Sequence, residues 1–160
     1  MTLGFISIGS NIDREQHIRQ GLIDLQQLFG TLSISSVYES DPVGFTGDAF
    51  YNLVVGFHSE DDAYTVATQL RQLEFAHGRS QDSKKFSARS LDLDLLLFGD
   101  AIIQDSHVKI PRDDIENYAF VLQPLAEIAP LLIHPLLKKS YAQMWQDLPK
   151  TDLRQWRISF

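Results

Sequence analysis

The chain has 160 residues, enough for one domain that buries about 68–70% of its unfolded surface, so the fold needs no covalent staple. It contains no cysteine, which excludes a disulfide framework, a thiol nucleophile and a cysteine-ligated zinc site. A formal net charge of −7 argues against general nucleic-acid binding, so cations that meet an anionic ligand must be gathered locally.

Residues 3–8 alternate with apolar side chains on both sides and read as a buried strand ending at the turn Gly9-Ser10-Asn11. The same opening lacks a basic n-region, so it is not read as a signal peptide. No apolar run approaches the roughly 20 residues of a membrane helix, and the chain is expected to be soluble and cytoplasmic. Asp13 is a candidate N-cap for a helix whose inner stripe is Ile18, Leu22, Leu25, Leu28 and Phe29, closed by Gly30. Leu32 to Tyr38 reads as a second strand, and 40–48 as a breaker-rich loop. Phe50 to Phe57 is a third strand. Ser59-Glu60-Asp61-Asp62 starts a second helix with the stripe Val66, Leu70, Leu73 and His77, ended by Gly78. A polar loop follows from Arg79 to Ser90, then a fourth strand from Leu91 to Phe98. Ile102-Ile103 and Val108-Lys109-Ile110 suggest a hairpin, and Tyr141 to Leu148 a short helix. Pro124, Pro130, Pro135 and Pro149 are expected to break up the last third. The order β-α-β-β-α-β is the ferredoxin-like pattern: an α+β sandwich of one domain, residues 1–160, with helices on one face of a mainly antiparallel sheet and extra C-terminal elements.

Asp92 and Asp94 stand two apart in the fourth strand. Alternation puts both carboxylates on one face, with Cα atoms roughly 6.5–7 Å apart, and places Leu91, Leu93, Leu95 and Leu97 on the other. Such a pair repels itself and can share hard cations; Mg²⁺ takes one or two carboxylates and completes its shell with phosphates and water. An edge strand with a solvated acidic face would show the same alternation. The loop before the strand carries Arg79, Lys84, Lys85 and Arg89, a local gathering of cations in an acidic protein. Cations beside a carboxylate pair suit phosphoryl transfer, where charge on the transferring group must be stabilised. No Walker A or kinase glycine loop is present, so side chains and metal must hold the phosphates. Phe50 and Asn52 share a strand face, and an aromatic ring beside an amide suits a flat heterocycle. His17, His58, His77, His107 and His134 form no local metal motif.

With Ile6-Ser7-Ile8-Gly9-Ser10-Asn11, the run Lys85 to Leu96, Leu97-Phe98-Gly99-Asp100, Ile110-Pro111 and Pro124-Leu125-Ala126-Glu127-Ile128-Ala129-Pro130, the chain resembles the 6-hydroxymethyl-7,8-dihydropterin pyrophosphokinase family. The resemblance spans nearly the whole chain. It implies a ferredoxin-like fold and Mg²⁺-dependent transfer of diphosphate from ATP, the co-substrate, to the pterin hydroxymethyl group, with release of AMP in folate biosynthesis. It implies two Mg²⁺ ions on Asp92 and Asp94. Phe50 and Phe120 would sandwich the pterin, and Asn52 with groups around Ser40 and Val43 would read its polar edge. Arg79 and Arg89 would be catalytic, acting on the triphosphate. ATP would be bound by Arg71, Glu74, Lys85 and Arg89, and by Leu95, His107, Lys109 and Arg112. The expected partners are these two small molecules, with no nucleic acid or membrane, and the expected state is a monomer.

The chain also departs from the family pattern. Phe86 replaces a usual Trp and Ser87 a usual Gly or Ala. Gln81 and Asp82 stand where basic residues are common, and Tyr118 where an Arg often helps bind phosphate. Arg112-Asp113 stand where His-Tyr is common, so Arg112 returns one cation. The metal and pterin positions are kept while the outer phosphate shell is thinned. That leaves two rivals: a divergent paralogue that binds pterin or nucleotide with little turnover, and an interaction module with a merely solvated acidic pair.

Overall fold

A computed structural model describes residues 1–78, 90–151 and 153–160. Residues 79–89, which hold the cations of the expected loop, lie outside them.

Strand β1 (Thr2–Ser10) has Ile6 and Ile8 fully buried on one face, and Phe5 buried on the other. Helix α1 (Arg14–Phe29) starts where expected, but Asp13 sits in a left-handed conformation (φ 43°) and its side chain makes no capping bond. Gly30, at φ 81°, ends the helix and donates its N–H to the Gln26 carbonyl. Ile18 and Leu25 form the buried stripe. Leu28 is exposed because it lies roughly a quarter turn round the helix from them.

The expected second strand is split into β2 (Ser33–Ile34) and β3 (Val37–Ser40). Ile34 pairs with Val55 and Tyr38 with Asn52, so four steps on one side oppose three on the other. This is a bulge, and Ser35 makes it tolerable: its N–H donates to the Val54 carbonyl, and its Oγ accepts from the Val54 N–H. Strand β4 (Phe50–Ser59) runs on to Ser59, which the sequence pattern assigned to the following helix. Helix α2 (Ala63–Ala76) starts only after Asp62, which caps it by accepting the Thr65 N–H; Val66 and Leu70 are buried as expected, with Glu74 in place of Leu73 and His77.

Strand β5 (Asp92–Phe98) contains a second bulge. Ile6 pairs with Leu95 but Phe5 with Leu97, so Leu96 is an inserted residue. Leu97 therefore joins Leu96 and Phe5 on one face, while Leu91, Leu93 and Leu95 stay on the other. The expectation that Leu97 shares the face of Leu91, Leu93 and Leu95 is corrected by that insertion. Strands β6 (Ile103–Gln104) and β7 (Lys109–Ile110) form the expected hairpin.

The last third is more regular than its prolines suggest. Helices α3 (Asp114–Asn117), α4 (Ala119–Ile128) and α5 (Tyr141–Asp147) precede strand β8 (Gln155–Ile158). Pro124 lies inside α4. The helix survives because Val121, Leu122 and Leu125 are buried at 1% exposure or less, and packing outweighs local propensity.

The sheet order is β5-β1-β4-β3-β8, every neighbouring pair antiparallel, with β2 beside β4. The first four strands give the ferredoxin-like order. Helices α1 and α2 pack on the face of Ile6, Ile8, Leu53, Val55, Leu93 and Leu95. Helices α4 and α5 pack on the opposite face, against Phe5, Val54, Leu96 and Leu97. Helices thus cover both faces, where the sequence pattern suggested one. No helix among the described residues is long and apolar enough to cross a membrane.

Candidate active site

The face beneath α4 changes character along its strands. Where α4 covers it, the residues are Phe5, Val54, Leu96 and Leu97. Beyond the start of that helix the same face carries Ser7 and Gly9 of β1, Phe50 and Asn52 of β4, and Asp92 and Asp94 of β5. The ladder places Ser7 opposite Asp94, and Gly9 between Asp92 and Asn52. These residues line a cleft of about 670 Å³. It fits the size of small-molecule sites, which are concave and carry a few placed polar groups.

One end of the cleft is aromatic and amidic. Asn52 is buried and donates from Nδ2 to Ser40 Oγ at 2.7 Å. That bond fixes the amide plane. Phe50 meets Phe45 edge to face, their centroids 6.2 Å apart. Phe120, at the start of α4, stacks on Tyr118 at 5.1 Å. Phe50, Phe120, Ser40 and Val43 all line the cleft. A Cβ at Gly9 would come within 3.2 Å of Asn52 Oδ1, so the glycine lets the amide lie close against β1.

The other end is charged. Asp92 and Asp94 are half-buried and face the cleft. Arg112 is tied by its N–H to the Leu96 carbonyl at 3.1 Å. Its guanidinium lies 3.9 Å from Asp94 and 3.4 Å from Asp114. Burial opposes the guanidinium charge, but the nearby carboxylates of Asp94, Asp114 and Asp92 outweigh it and hold its pKa above the ordinary value. Strand β5 is the sheet edge, and α2 lines the cleft beside it. Glu74 of α2, only 2% exposed, accepts the Leu93 N–H at 2.9 Å and so occupies an edge position that no strand among the described residues fills. Arg71 lies 3.9 Å from Glu74.

Hard carboxylate oxygens on one face, beside an open cleft, are the donor set Mg²⁺ uses. Among the described residues no three or more His, Cys, Asp or Glu form a ready-made metal cage. Mg²⁺ needs none when one or two carboxylates are completed by substrate phosphates.

Every described residue assigned to the site from the sequence lines this one cleft: Asp92, Asp94, Ser40, Val43, Phe50, Asn52, Phe120, Arg71, Glu74, Leu95, His107, Lys109 and Arg112. Arg79, Lys85 and Arg89 lie outside the described residues. Sequence reasoning passed over Ser7, Gly9, Phe45, Asp41 and Asp114, which also line it. Ser7 and Gly9 carried a usable signal, since they interrupt an apolar strand at alternate positions. Asp114 carried none, because its place depends on a four-residue helix too short for a periodic signal.

Residues 5–130 match the sequence model of the family described as 7,8-dihydro-6-hydroxymethylpterin-pyrophosphokinase. The 2-amino-4-hydroxy-6-hydroxymethyldihydropteridine pyrophosphokinase of Bacillus subtilis is 35% identical over 130 residues, 79% of this chain and 77% of its own. That of Aquifex aeolicus is 30% identical over 141 residues, covering 87% and 88%. Among solved structures, wild-type Plasmodium falciparum HPPK-DHPS with pteroate superposes with a TM-score of 0.73 at 12% identity, over 98% of this chain and 48% of that one. At that identity the likeness is one of fold, and this chain spans about half the length of the solved one.

Proposed function

The chain belongs to the 7,8-dihydro-6-hydroxymethylpterin-pyrophosphokinase family, and from that premise we infer how its cleft carries out the family reaction. The protein is an enzyme that transfers diphosphate from ATP to the hydroxymethyl group of the dihydropterin, in folate biosynthesis. The observation that carries the residue assignment is the shared face. The carboxylates of Asp92 and Asp94 and the aromatic-amide end at Phe50 and Asn52 open into one cleft, separated by the width of β1.

The pterin lies between Phe50 and Phe120, with Asn52 and the Ser40–Val43 segment on its polar edge. Asn52 is held by Ser40, so its amide is oriented before the substrate arrives, which lowers the ordering cost of binding. The triphosphate lies at the charged end. Arg71, Lys109, His107 and Arg112 flank it, Glu74 and Leu95 line the nucleotide side, and Lys85, Arg79 and Arg89 act on it from the preceding loop. Asp92 and Asp94 would hold two Mg²⁺ ions, which supply neutralisation of charge on the phosphate oxygens. The hydroxymethyl oxygen attacks the β-phosphorus in line. A bond forms between that oxygen and Pβ, the bond from Pβ to the bridging α-phosphate oxygen breaks, AMP leaves with that oxygen, and the hydroxyl proton is released to solvent. Holding the two substrates at opposite ends of one cleft makes the attack effectively intramolecular.

The protein acts as a cytoplasmic monomer on these two small molecules, without nucleic acid. The charge of −7 supports the exclusion of nucleic acid, and the use of ATP supports a cytoplasmic place. Tyr118 stacks against Phe120 without lining the cleft, so this position supports the pterin-side ring and offers the triphosphate no cation. A chain thinned in this way could bind both substrates with little turnover. The test is AMP release from ATP with and without the dihydropterin. Pterin-dependent AMP is expected; binding of both ligands by calorimetry with no AMP would replace this reading with binding alone.

A further inference from the structure

We propose that Arg112 is an internal competitor for the metal site, so that divalent cations bind well only when a nucleotide draws Arg112 away. This rests on the assignment of Asp92 and Asp94 as the metal ligands. The guanidinium is placed by its backbone, which is bonded to β5 through Leu96, and it reaches back to the same strand at Asp94. Its Nη2 lies 3.4 Å from both oxygens of Asp114, and its Nη1 lies 3.9 Å from Asp94 Oδ1. Charge-assisted N–H···O bonds run at about 2.7–2.9 Å, so these are long. Arg112 Nε is buried with no hydrogen-bond partner among the described residues. The group is therefore held by the field of the carboxylates more than by short bonds, and it keeps an unspent donor while lining the cleft.

A divalent ion held by Asp94 would be a second positive charge on a carboxylate that already has this guanidinium 3.9 Å away, in a cleft where charges are poorly screened. One of the two cations must yield. Guanidinium matches phosphate with its planar fork, so the triphosphate is the anion suited to take it from Asp94. Nucleotide then favours metal, and by linkage metal favours nucleotide by the same factor. Arg112 acts here as a positioning residue that couples two ligands.

Mn²⁺ is the probe, titrated by calorimetry or electron paramagnetic resonance, with and without α,β-methylene-ATP. Wild-type protein is expected to bind Mn²⁺ about fivefold or more tightly with the analogue than without. In Arg112→Gln, nucleotide-free Mn²⁺ affinity rises by about that factor, and the gain from the analogue shrinks correspondingly. Arg112→Lys keeps the charge without the fork, so its nucleotide-free affinity stays within about twofold of wild type while the coupling falls. Should Arg112→Gln not fold, the lysine variant still decides through the coupling. Unchanged or weaker nucleotide-free binding in Arg112→Gln, or full coupling in Arg112→Lys, overturns the proposal. Absence of Mn²⁺ binding by wild type even with the analogue overturns the metal assignment itself, a different failure.

Discussion

At the scale of single residues, the cleft depends on a few close approaches. Asn52 and Ser40 satisfy each other in a buried place, so Asn52→Ala leaves the Ser40 hydroxyl without its donor. Losing the fixed amide is expected to weaken pterin binding about tenfold, read by calorimetry, with a stability loss of about 1–3 kcal/mol. Gly9→Ala tests the same contact from the other side. Its Cβ would press on Asn52 Oδ1 at 3.2 Å, so pterin affinity falls while nucleotide affinity holds. A distant residue gives a pH-dependent test. His134 is buried, and its Nδ1 accepts the N–H groups of Leu136 and Leu137 at 3.1 Å. Burial lowers its pKa below the ordinary 6.5. The unfolded chain therefore takes up a proton that the folded one resists. His134 contributes its full stability above about pH 6.5 and loses it below, at up to about 1.4 kcal/mol per pH unit. Urea midpoints between pH 7.5 and 5.5 should fall more steeply for wild type than for His134→Gln. Parallel curves would exclude this role.

At the scale of elements, the two bulges and helix α4 decide where the cleft lies. The β5 bulge turns Leu97 towards α4, and the polar half of the same face begins where α4 starts. Helix α4 is clamped to β3 by Glu127, whose carboxylate accepts the Ser36 N–H and Oγ and the Tyr38 hydroxyl. Glu127 belongs to the Glu-Ile-Ala-Pro segment that carried the family resemblance, and here that segment has a structural task. Burial tends to raise the Glu127 pKa, but the bonds from Tyr38 and Ser36 and the nearby Arg157 prevail and lower it. A depressed carboxylate pKa gives stability above the unfolded value, which is lost as pH falls through the folded one. Glu127→Ala should lower Tm at neutral pH, and the difference should close under acidic conditions where wild type is also protonated. A Tm gap that persists unchanged at low pH would assign the loss to packing instead. Phe120 stands on the same helix, so Glu127→Ala should also raise the pterin Kd.

At the scale of the whole molecule, the β-α-β-β-α-β order was legible because the periodicities of its strands and two helices are strong, although of the two helix starts only Asp62 caps through its side chain. Asp92 and Asp94, Phe50 and Asn52 could be placed on faces by alternation alone. The bulges at Ser35 and Leu96 were not legible, since nothing in an apolar run marks which residue is inserted. Helix α4 was hidden by Pro124, because the burial that outweighs a proline is visible only in three dimensions. Strand β8 completes the sheet beside β3 with only four residues, too few for a periodic signal. What the folded molecule adds is convergence: residues from 7 to 121 in sequence meet at one cleft, with the carboxylates at one end and the aromatic-amide wall at the other. That division implies separable functions, which one comparison tests most directly. AMP release from ATP and dihydropterin would be measured for wild type, Asp92→Asn and Asp94→Asn, with pterin binding by calorimetry for each. Wild type should release AMP only with the pterin. Both variants should fall by at least about a hundredfold, with pterin affinity nearly unchanged. Wild-type rates of pterin-dependent AMP release in either variant would contradict the assignment of the carboxylate pair.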